Sequence, residues 1–243
     1  MAADLDRAAR ARLRTLSKEN ADAVARHLVM AGRLLDEDAE AAYAHAQEAV
    51  RRAGRVDVVR EAAGITAYQV GRYAEALREL RTARRLNGSD EHVPLMADCE
   101  RGLGRPERAL ALAQEYAGAL GAEAQVEMAI VASGARLDLG DPDAALAELS
   151  GAGLRGLQPP LSWRVAEARA AALVAAGRED EAAQVLAMLP AGAFGPEEIE
   201  VVDLESLSDE RGPLEVDITE PGPLEPGVAD GHEDGPATAE PQP

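Results

Sequence analysis

The sequence predicts an all-α fold: a row of about five helix–turn–helix units, followed by a disordered acidic C-terminal tail. Three observations carry that expectation. Alanine, leucine, arginine and glutamate, all strong helix formers, dominate residues 1–190, and the 243-residue chain holds 52 alanines. Glycines break this stretch, and the segments between breaks run 12 to 18 residues with apolar positions at helical period. A phrase recurs at the breaks. It reads GRYAEAL at 71–77, GRPERAL at 104–110, GDPDAAL at 140–146 and GREDEAA at 177–183, with a weaker copy, EDAEAAY, at 37–43. The copies start 34, 33, 36 and 37 residues apart, which is the signature of a repeated structural unit.

The elements follow in chain order. Residues 4–16 read as an extra helix, with Leu5, Ala9, Leu13 and Leu16 on one side and Arg7, Arg10 and Arg14 on the other. A polar-faced first helix suits the end of a stacked array. Ser17 is the expected N-cap of the next helix. The acidic turn DEDAE at 36–40 lacks the spacing of a calcium loop, and its acids favour the N-terminus of the helix that follows. Further breaks fall at Gly54, Gly71, Gly88, Gly104, Gly140, 151–156 and Gly177. Gly71, Gly104, Gly140 and Gly177 each stand where one helix ends and a left-handed or tight turn is needed. Ala76, Ala109, Ala145 and Ala182 place a methyl where two helices must approach closely. Leu80, Leu149 and Leu186 are expected to fill the layer between units, with Ala113 in that place in the second full copy. GAGLRGLQPP at 151–160 is a loop, because Pro159 and Pro160 cannot extend a preceding helix, and the last pair spans about 161–189, beginning near Trp163.

These residues resemble the tetratricopeptide repeat (TPR), a 34-residue helix–turn–helix unit. The best copy is 57–90: Gly64 in the first helix, Gly71 and Tyr73 at the turn, Ala76, Leu80 and Ala83 as the small–large–small set of the second helix, and Leu86 and Gly88 at the close. Arg60 and Ala67 stand where the family carries its first-helix aromatics. The resemblance covers about 23–190 and implies an α-solenoid of TPR-like repeats. The chain then divides into an N-terminal extra helix at 1–22, a helical repeat domain at 23–190 and a tail at 191–243.

Charge is divided unevenly. The formal net charge is −19, and residues 191–243 hold 15 acids against one base, Arg211, while residues 1–190 hold 29 acids against 24 bases. The tail also carries 8 prolines and 7 glycines, the composition of a segment that cannot form a packed core. Within it, EEIEVVDLESL at 197–207 sets apolar residues among acids and is a candidate to order on a partner. A pI near 4.6 opposes general nucleic-acid binding. A single cysteine excludes an internal disulfide and a cysteine metal site. The polar start MAADLDRAARARL lacks a secretion signal, and the longest apolar runs fall far short of the roughly 20 residues of a membrane span. A cytoplasmic protein without membrane contact is expected, and the arginine and alanine bias is what GC-rich bacterial coding produces.

No catalytic constellation is present in the sequence. Cys99 lies between Asp98 and Glu100, which oppose a thiolate, and His27, His45, His92 and His232 do not stand at metal-ligand spacing. The expectation is a non-enzymatic chain with no cofactor and no metal. Nine arginines against four acids in 51–85 make a basic stretch, and Arg78, Arg81 and Arg85 share one helix face that Arg84 extends. Its readings are a solvated face, a dock for an acidic peptide (this chain's own tail included), or a contact for nucleic-acid phosphates. The TPR resemblance adds a groove lined by first-helix residues that binds a client protein or peptide. It names His27, Tyr68, Gln69, Asp98 and Arg101 as groove-facing candidates. The carboxylate-clamp places of one subset read His27 and Ala31, Glu61 and Ile65, Pro94 and Asp98, Ile130 and Gly134, Glu167 and Ala171, so the clamp is absent. The implied function is an adaptor or scaffold, modulated by the tail. The alternative is a nucleic-acid- or ribosome-associated factor that uses the Arg72–Arg85 face. Alanine-rich ends of such arrays self-associate, which leaves a homodimer open.

Overall fold

The computed structural model describes residues 1–151, 154 and 156–190. The acidic tail at 191–243, its expected disorder and the 197–207 segment lie outside the described residues.

Eleven α-helices stand among the described residues, with no strand. They are α1 (Arg7–Arg12), α2 (Lys18–Leu34), α3 (Ala39–Ala53), α4 (Asp57–Gln69), α5 (Tyr73–Asn87), α6 (Val93–Gly102), α7 (Pro106–Glu115), α8 (Ala122–Asp138), α9 (Pro142–Glu148), α10 (Leu161–Ala175) and α11 (Glu179–Ala187). From α2 onward they form five hairpins. Each second helix packs on its own first helix, and α3, α5, α7 and α9 pack also on the first helix of the next pair. First helices also touch along the row, α6 with α8 and α8 with α10, so the chain is a stacked helical repeat. No described helix is long and apolar enough to cross a membrane.

Four hairpins share one turn, and glycine is the reason. Gly71, Gly104, Gly140 and Gly177 have φ between +71 and +75°, where a Cβ is unfavourable. In each turn the glycine N–H donates to the carbonyl three residues back. The next N–H donates to the carbonyl five back: Arg72 to Ala67, Arg105 to Glu100, Asp141 to Arg136 and Arg178 to Leu173, at 2.8 to 3.0 Å. This pair of hydrogen bonds satisfies carbonyls that the helix end leaves open. The first hairpin has no such glycine. Its turn closes with Asp38, whose carboxylate accepts from the Ala41 N–H at 3.0 Å, the capping expected of the DEDAE turn.

Beyond each turn the small residue is buried. Ala76, Ala109 and Ala145 have no exposure and Ala182 has 2%. Leu80 and Leu149 fill the layer behind them, at 1% and 3%. Gly64 on α4 faces Leu80 so closely that a Cβ there would lie 2.6 Å from the leucine Cγ. Ser17 caps α2 as expected, accepting from the Asn20 N–H at 3.4 Å.

Two expectations are corrected. Residues 4–16 are not one helix: 3₁₀ turns at Ala2–Asp4 and Leu13–Thr15 flank the short α1. Asp6 breaks the run by capping α1, accepting from the Ala8 N–H at 2.7 Å, while Leu5 is extended and its carbonyl accepts from Arg10 at 2.7 Å. Leu13 still enters the core, with Leu5 and Leu16 packed around it. Leu186 fills no layer; it is 44% exposed because no described helix stacks on α11. The expected break at Gly54 does end α3, with φ −65° rather than the left-handed φ of the four hairpin turns. The glycine's lack of a side chain admits Arg60, whose Nε donates to the Gly54 carbonyl at 2.6 Å.

Candidate interaction surfaces

The first helices place Tyr68 on α4 and Asp98 and Arg101 on α6 along one face. The Tyr68 hydroxyl donates to Asp98, Arg101 Nε donates to the same carboxylate at 2.8 Å, and the Arg101 guanidinium reaches Asp138 on α8 at 3.3 Å. Gly134 makes room for this bridge: a Cβ there would sit 3.3 Å from the guanidinium. Burial first, and then the bond to Asp98, pushes the Tyr68 hydroxyl well above its ordinary range. Burial works against the charge on Arg101, but Asp98 and Asp138 outweigh it.

A second bridge repeats the first one unit along. Arg164 on α10 pairs with Glu127 on α8, a separation of 37 residues that Arg101 and Asp138 also show. The Glu127 carboxyl is raised by burial, despite Arg164 beside it. Two adjoining clefts open around these bridges. One, of about 350 Å³, is lined by Tyr68, His92, Leu95, Asp98, Glu123 and Glu127 among others. The second, of about 210 Å³, shares Asp98, Val131 and Arg164 with it and adds Arg101, Ser133 and Gly134.

The sequence-read candidates divide. Tyr68, Asp98 and Arg101 come together here, and Pro94, Ile130, Gly134 and Ala171 also line the clefts. His27 does not join them. It faces His45 across the first hairpin, with the two Nδ1 atoms 3.0 Å apart. Gln69 is exposed and lines neither cleft. Sequence reasoning missed Glu127, Arg164, Asp138 and the pair of His92 with Glu61 (3.1 Å). The available signal was one-unit spacing between opposite charges on successive first helices.

The arginine stretch is engaged within the fold. Glu100, with a side chain 3% exposed, receives Arg81 at 2.9 Å, Arg105 at 3.3 Å and Arg108 at 4.0 Å. Glu79, also buried, receives Arg60 at 2.5 Å and Arg78 at 3.2 Å. Arg84 holds Asp90 at 2.7 Å and lies over the Tyr116 ring. Arg85 is exposed and has no ion-pair partner among the described residues. The sequence window overstated the free positive charge because two of the compensating acids, Asp90 and Glu100, lie beyond residue 85. Cys99 is fully buried, and burial, with Asp98 and Glu100, pushes its thiol up to about 12.

Two histidines differ in the sign of their response to pH. His27 is held below its ordinary value of about 6.5 by burial first and then by His45, with Arg52 and Arg26 adding to the fall and Glu48 opposing it. Its neutral form is the one the fold favours, so its contribution is present above about 6.5 and is lost as pH falls through the folded value. His92 is raised by its hydrogen bond to Glu61. Its contribution is present below about 6.5 and is lost as pH rises through the folded value. An NMR titration is expected to show His27 titrating below about 6.5 and His92 above it. Coincident midpoints would contradict the opposed shifts.

No family model matches the chain, and no curated protein does. Among solved structures, a chain in the structure of Naa15/Naa10 bound to HypK-THB is similar at a TM-score of 0.31 and 18% identity, over 69% of this chain and 30% of that one. This chain therefore matches less than a third of that chain's length.

Proposed function

We propose that the chain is a non-enzymatic adaptor whose TPR-like hairpins present the first-helix face to a segment of a client protein. The observation that carries this reading is the pair of adjoining clefts, built from side chains of α4, α6, α8 and α10. Open clefts with an apolar floor and a few converging polar groups suit a docked side chain or a short stretch of peptide. The repeat spacing, the four identical glycine turns and the buried alanines support the TPR-like reading of the units. The inert Cys99 supports binding over nucleophilic chemistry. The engagement of Arg78 and Arg81 with buried acids favours the first-helix face over the arginine face.

The test is selection from a displayed random peptide library with the full chain as bait, repeated with Ala124→Trp. Ala124 lines the larger cleft from α8, so tryptophan fills it. Peptides that bind the parent and lose affinity for Ala124→Trp, with unchanged thermal melting, are expected. Peptides that bind both equally would overturn the reading.

A further inference from the structure

The first-helix clefts carry more negative charge than the fold neutralises. Glu91, Asp98, Glu123 and Glu127 line them against Arg101 and Arg164. Both arginines are already spent on carboxylates of the same face, Arg101 on Asp98 and Asp138, Arg164 on Glu127. Glu91 and Glu123 are exposed at the rim and have no ion-pair partner among the described residues. A different observation points to a missing ligand. Ser133 is 1% exposed, its hydroxyl finds no hydrogen-bond partner among the described residues, and it lines the second cleft. Buried hydroxyls are ordinarily satisfied, and Thr66 and Thr82 in the same fold bond the carbonyl one turn back. The floor is apolar on both sides of the Arg164–Glu127 bridge, with Pro94 and Leu95 in one cleft and Ile130 and Leu137 in the other.

We infer that the occupant of this face is a basic peptide segment of a partner protein, with a lysine or arginine in the larger cleft and an adjacent apolar side chain in the smaller one. The inference rests on the preceding reading of the first-helix face and adds the chemistry of the client. The cationic side chain lies among Glu91, Glu123 and Glu127, and the smaller cleft beside it, with Ile130, Leu137 and Ala171, takes the apolar neighbour.

The same library selection tests it. Selected peptides are expected to carry lysine or arginine beside an apolar residue and to weaken with added salt. The double variant Glu91→Lys/Glu123→Lys should bind them roughly tenfold more weakly, and peptides with glutamate at the basic position should bind that variant better than the parent. Both glutamates are exposed, so thermal melting should hold. If neutral or acidic peptides are selected and Ala124→Trp abolishes their binding, the basic client is overturned and the first-helix reading stands. If no selected peptide responds to Ala124→Trp, both fall.

Discussion

Glu100→Ala is expected to destabilise the chain by about 2–3 kcal/mol. The side chain is almost wholly enclosed, and three arginines converge on it. Removing the carboxylate leaves their like charges together over a cavity. Breaking a fully buried pair costs about 3–5 kcal/mol, and the lower figure follows because the arginines are 48 to 66% exposed and water re-solvates them. Glu100 joins two hairpins, since Arg81 belongs to α5 while Arg105 and Arg108 stand at the turn and start of α7. Urea denaturation followed by circular dichroism reads the change. An unaltered midpoint would show that the arginines are solvated independently and that the face is free for other anions.

Leu80→Ala should cost about 3 kcal/mol, because a leucine 1% exposed leaves a cavity in the layer that joins α4 and α5 to α6. Gly64→Ala should cost about 1–3 kcal/mol by overpacking against that same leucine. The two changes are complementary in volume: the new methyl enters the space the leucine vacates. The double variant is therefore expected to be more stable than the sum of the single losses allows, and a double-mutant cycle measures that coupling. Strict additivity would mean that α4 and α5 do not meet through these two residues.

The repeats were legible because the positions that define them are constrained by backbone sterics. Gly71, Gly104, Gly140 and Gly177 take a left-handed turn, and Ala76, Ala109, Ala145 and Ala182 stand where backbones approach closely; both needs restrict residue type at a fixed spacing. The break within residues 4–16 was hidden because Asp6 reads equally well as a polar-face residue or as a cap. The electrostatic network was hidden for another reason. Arg81 meets Glu100, 19 residues away on another helix, and Arg84 meets Asp90, so both acids lie past the 51–85 window; Arg60 and Glu79 lie inside it, but a charge count does not pair them. Within the candidate site, Tyr68, Asp98 and Arg101 were named by the TPR resemblance, which named His27 and Gln69 as well, and those two lie elsewhere. The bridge from Arg164 to Glu127 required the stacking of α8 on α10, and the orphan hydroxyl of Ser133 required knowing which face of α8 is buried.

Amide hydrogen exchange of the full chain, with and without peptides selected on it, tests the binding face most directly. Protection concentrated on α6, α8 and α10, with α5 and α7 unchanged, is the predicted result. Protection on α5 and α7 would place the partner on the arginine face and contradict the account.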